Sequence, residues 1–146
     1  MSTATTAPGT AVRIPALNRP VALVGAIVAA LLANLVVWLV GAAAGGTFEM
    51  TDAGRVQSVA PGGIITMTVV PMAIGLGAAV LLSYRWIGVL RMAAVIGSVL
   101  AVVTIGLTVS ADFDTASTIA LSITHLTLVP ALVVATEGLR RRLIQG

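Results

Sequence analysis

The most constraining stretch of the 146-residue sequence is its last apolar run. It begins after an acidic loop, Ala111-Asp112-Phe113-Asp114, and ends on Arg140-Arg141-Arg142. Between them lie about 24 mostly apolar residues, and a helix of that length covers roughly 30 Å of hydrocarbon. Nothing but a helix or a closed barrel satisfies its own backbone in lipid. Three further runs of similar character precede it, so the chain is read as an integral membrane protein that is all-α.

Composition agrees. Hydrophobic residues make up 58% of the chain and charged residues 9%, whereas a soluble domain carries about a quarter charged. Too little polar surface is available to coat a water-soluble core of this size. The formal charge of +3 is not a nucleic-acid signal, because eight arginines and no lysine are spread around the apolar runs. Cysteine is absent, which removes disulfides, thiolate chemistry and cysteine-held metals. Ala, Val, Gly and Arg in place of Ile and Lys suggest a GC-rich bacterial genome.

Residues 1–19, rich in Ser, Thr, Ala and Pro, are expected to form a disordered cytoplasmic tail. Residues 20–143 are then one four-span domain, with spans at about 20–44, 62–84, 87–109 and 115–138. Ala42-Ala43-Ala44 resembles a signal-peptide cleavage site, but the run before it far exceeds a signal core of about 7–15 residues. An uncleaved helix is expected. Residues 45–61 form a polar loop with Glu49, Asp52 and Arg55. Arg13, Arg19, Arg85, Arg91 and Arg140 to Arg142 fall on one side of the spans and Arg55 on the other. The positive-inside rule therefore puts both termini of this four-helix bundle in the cytoplasm, with the bacterial plasma membrane as its location. Tyr84 and Trp86 sit where aromatic anchors do.

Helices in lipid associate through small residues and polar contacts. Gly25, Ala29 and Ala33 form a smooth stripe on the first span, Ala73 and Gly77 on the second, and Ala93 and Gly97 on the third. Asn34 and His125 are the two most polar side chains inside the spans, each about ten residues deep, or roughly 15 Å. Pro71 lies at a similar depth and leaves the Met67 carbonyl without its helical partner. Asp114, Thr118, Ser122 and His125 follow spacings of four, four and three and share a helix face. Two readings of this stripe compete. It is a proton or small-solute path, or a ligand site, with His125 titrating, or His125 is neutral and bonds Asn34 or a free carbonyl to hold helices in register. Asp114 is expected to cap the last helix, and the acidic loops could instead hold a divalent cation. Arg140, Arg141 and Arg142 are both a topology signal and a set of contacts for anionic headgroups. The spans are read as free of carboxylates, so one histidine leaves no base–nucleophile pair and no metal set. No enzyme, cofactor or metal is expected.

Four spans, a polar first loop, arginines in the short central turn, and Asp112 and Asp114 preceding Thr115, Leu121 and His125-Leu126 resemble a family of small actinobacterial membrane proteins. That family is known only as a domain of unknown function; the resemblance covers roughly residues 21–143 and brings no activity with it. Small four-helix multidrug exporters, the competing comparison, rely on a carboxylate in their first helix, where this chain has Asn34. The functional expectation is a non-enzymatic accessory or assembly subunit packing with itself or a larger membrane partner. The alternative is a small transporter or channel-like protein. Expected partners are membrane lipids and membrane proteins, not nucleic acid.

Overall fold

The structure, a computed structural model, describes residues 14–59 and 61–146. Helix α1 spans Arg19–Ala43, α2 Pro61–Leu82, α3 Val89–Ser110 and α4 Thr115–Gln145, with strands β1 (Glu49–Asp52) and β2 (Arg55–Ser58) between α1 and α2. Consecutive helices run antiparallel. α1 packs along α4, α4 along α3, and α1 along α2; α2 and α3 meet less, and α2 scarcely touches α4.

Local sequence explains where the elements start and stop. Asn18 caps α1 by accepting from the Val21 backbone N–H at 2.9 Å, and Pro20 sits in the first turn, where its missing N–H costs nothing. Asp114 caps α4 in the same way, accepting from the Ser117 N–H at 2.9 Å. Both helices bury small faces toward each other. On α1 these are Ala22, Ala26, Ala30, Asn34 and Gly41; on α4 they include Ser117, Ala120, Ala135 and Gly138. A Cβ on Gly41 would lie 2.6 Å from that of Ala120 and 2.8 Å from the Phe48 ring. Close backbone approach at this crossing therefore requires glycine. Larger apolar residues instead cover the outside of the bundle, among them Val24, Leu32, Val36, Ile74 and Val95. Such an inverted surface suits hydrocarbon as its solvent.

The predicted spans recur with ends shifted by no more than two residues, except that α4 continues to Gln145, seven residues past the expected 138. Helix propensity and backbone bonding carry it through the arginines once the apolar run ends. Glu137 lies inside α4, so the expectation of carboxylate-free spans needs correcting. It sits near the end of the apolar run, where Arg140 neutralises it. The polar loop at 45–61 contains a β-hairpin with Glu49 opposite Ser58 and Asp52 opposite Arg55. Its two-residue turn has positive φ at Ala53 (49°) and Gly54 (75°), the backbone of a tight hairpin turn that matches strand twist.

Residues 1–13 of the expected tail lie outside the described residues. The rest of that stretch is docked. The Leu17 N–H donates to the Gly138 carbonyl at 2.9 Å, and Arg141 donates to the Ile14 carbonyl at 3.1 Å.

Candidate functional site, an interhelical slot

Because α2 and α3 stand apart, a cavity of about 640 Å³ opens between them, floored by α4. It runs from Val59 and Phe113 at the hairpin end to Leu82 and Val89 at the end that carries the chain termini. The two halves differ in character. Toward the hairpin end its wall includes Asn34, Thr68, Thr104, Thr108, Thr124 and His125; toward the other end it is Gly75, Ala78, Met92, Gly97, Leu128 and Leu132. Gly97 lets α3 close on α4, since a side chain there would collide with Leu132. Gly75 is different, because a Cβ there would meet nothing within 4 Å.

Asn34 is buried and holds three helices together. Its amide donates to the Thr68 hydroxyl of α2 at 2.9 Å, and its carbonyl oxygen accepts from the Thr127 hydroxyl of α4. It does not meet His125. The histidine faces α3 instead, with its Nδ1 3.2 Å from the Thr104 hydroxyl. Both residues line the slot with Pro71, and the partners of both are threonines. Thr104 also lies 2.8 Å from the Ala101 carbonyl and 3.0 Å from that of Leu100. Two carbonyls thus compete for the Thr104 proton, and when one of them takes it Thr104 accepts from Nδ1–H and leaves the Nε2 lone pair of His125 uncommitted. Nε2 has no hydrogen-bond partner among the described residues.

The remaining members of the expected stripe are spent elsewhere. The Ser122 hydroxyl donates to the Thr118 carbonyl at 2.7 Å, and that of Thr118 reaches the Phe113 carbonyl at 3.5 Å. Such bonds are the habit of hydroxyls in helices. Asp114 fastens the hairpin to α4, accepting from the Ser117 hydroxyl at 2.6 Å, the Thr47 N–H at 3.0 Å and the Thr47 hydroxyl at 2.9 Å. The Ser117 hydroxyl in turn accepts from the Phe48 N–H at 2.8 Å. These donors, the Ser117 hydroxyl foremost, hold the Asp114 carboxyl well below the usual carboxylate range. Phe48 is buried, its ring centroid 5.8 Å from that of Trp38. Among the described residues, no group of three histidine or acidic side chains could hold a metal ion.

At the other end, Glu137 pairs with Arg140 at 2.8 Å and with Arg141 at 3.4 Å. Two of the three arginines assigned to headgroups are thus engaged within the chain, and Arg142 is the exposed one. The Arg19 guanidinium lies 3.8 Å above the Tyr84 ring, tying the starts of α1 and of the central turn together.

The slot and its threonines escaped the sequence reading. Thr104 and Thr108, four apart on one helix, were the available signal, muted because isolated hydroxyls in spans mostly bond their own backbone. The hairpin also left only a faint trace, the Ala53-Gly54 pair.

Four helices, each long and apolar enough to cross a bilayer, and a core of small residues define a multi-pass helical membrane protein. Within that class the chain belongs to DUF6069, a family of unknown function whose pattern matches residues 13–143. Nothing among curated proteins or solved structures matches it.

Proposed function

We propose that this chain is a non-enzymatic accessory or assembly subunit of a bacterial plasma membrane, packing against a second copy or a larger membrane protein. The carrying observation is the outward face of α1. Gly25 and Ala29 are exposed and Ala33 half-buried, while a Cβ on Gly25 would find only the Val21 methyl, at 4.0 Å. Small residues on a lipid-facing stripe forgo contact with acyl chains, and they serve where another helix comes close. Both termini face the cytoplasm in this reading, because seven of eight arginines lie at that end. Membrane lipids and membrane proteins are its partners, and nucleic acid is not.

A conducting path along Asp114, Thr118, Ser122 and His125 has less support, since each of the first three is committed to a local bond. The test is the mass and composition of the complex extracted gently from its native membrane, for wild type and Ala29→Leu. A complex of fixed stoichiometry that the substitution disperses supports the assembly role. A lone monomer in both cases refutes it.

A further inference from the structure

The slot lies away from the outward stripe of α1, and its chemistry concerns a different ligand. We propose that it binds a single-tailed lipid alcohol, its hydroxyl donating to Nε2 of His125 and its tail lying toward Leu82 and Val89.

Size suits a small ligand. The slot offers about 640 Å³, within the roughly 300–1,000 Å³ typical of small-ligand sites, and a flexible chain fills such a space.

Polarity decides the orientation. His125 stands about 15 Å into α4, at the boundary between the hydroxyl-bearing half of the slot and its apolar half. Beyond it, Gly75, Ala78, Gly97 and Leu132 offer a wall without a polar side chain. The remaining rise of α2, from Pro71 to Leu82, is roughly 17 Å, room for an apolar tail.

Hydrogen bonding decides the head. An acceptor that faces hydrocarbon meets no donor unless a ligand brings one, and Nε2 of the half-buried His125 is such an acceptor when Nδ1–H donates to Thr104. A hydroxyl supplies the missing proton. An ether, ester or hydrocarbon of the same length supplies none. The gap between α2 and α3 leaves the slot partly open at the side, so a lipid can reach it from within the bilayer.

The experiment measures binding of radiolabelled farnesol and of farnesyl methyl ether to the purified full chain in detergent micelles. Wild type should prefer the alcohol by roughly tenfold, the worth of one hydrogen bond. His125→Phe should bind both alike, at the level of the ether. Gly75→Phe, which fills the slot where a side chain meets no neighbour, should lose both. Equal binding of alcohol and ether to wild type overturns the head contact, and undiminished binding by Gly75→Phe overturns the location. These two arms decide the matter even if His125→Phe fails to fold. Photocrosslinking from position 75 in native membranes to another protein's helix, in place of lipid, also overturns the proposal.

Discussion

Replacing Asn34 by leucine, close to it in shape, removes the amide that joins α1 to α2 and α4. The magnitude follows from what each neighbour keeps. Thr127 can turn its proton to the Thr124 carbonyl, 2.8 Å away, so its hydroxyl stays satisfied. Thr68 loses the donor at 2.9 Å and has no other side-chain bond among the described residues. Interhelical side-chain bonds in membrane proteins average about 0.6 kcal/mol and reach about 1.7, so the two together predict a loss of about 1–2 kcal/mol, reduced by whatever apolar packing the leucine gains. Equilibrium unfolding in mixed micelles as detergent composition is varied measures it. A double-mutant cycle with Thr68→Val isolates the α1–α2 bond, with an expected coupling of about 0.6 kcal/mol. Coupling indistinguishable from zero, with Asn34→Leu as stable as wild type, would refute the view that this amide orders the helices.

Other perturbations separate close contact from open space. Gly41→Ala forces a methyl into Ala120 and Phe48 and should cost about 1–3 kcal/mol in the same assay, whereas Gly25→Ala has room and should leave the monomer unchanged or gain up to about 1 kcal/mol from helix propensity. Gly54→Val places a branched residue at φ 75°, a strain of order 1–3 kcal/mol; hydrogen exchange across residues 49–58 should accelerate without change in the helices. The depressed Asp114 carboxyl gives the hairpin attachment a pH dependence. Its folded value lies below its unfolded one, so the stabilisation is complete above about pH 4 and is lost as acid protonates the folded group. Proteolysis at Arg55 should therefore speed up on acidification below about pH 4 in wild type, and Asp114→Asn should remove that pH dependence.

The sequence made the spans legible and left their packing hidden, for one physical reason. In water a helix betrays its buried face by being apolar there and polar elsewhere. In lipid both faces are apolar, so periodicity says little about which side faces protein. The stripes of α1 illustrate this. Gly25, Ala29 and Ala33 and the sequence Ala22, Ala26, Ala30 and Asn34 both recur every four residues; the second is the buried one, and only Asn34 marks it. A polar residue that must find a partner inside the bundle orients a membrane helix better than a run of small ones does. By the same rule Ala73 and Gly77 mislead on α2, where Thr68 and Met72 face inward.

His125 shows where that rule stops. Its polarity forces it to a partner, and its depth matches that of Asn34, yet it turns to Thr104 on α3 while Asn34 turns to Thr68 and Thr127. Depth along a helix can be counted from sequence; azimuth around it cannot when neighbours on either side offer hydroxyls. Thr124, Thr127 and His125 lie within four positions of α4, and a rotation of one residue, about 100°, would exchange their roles. What fixes the rotation is packing elsewhere on the same helix. Ala120 under Gly41 and Leu132 in the gap above Gly97 each admit a single orientation of α4. The polar contacts of the slot thus follow from glycines placed far from them. The same glycines bring α4 against α1 and α3 while α2 and α3 stay apart, and that gap gives the slot its room.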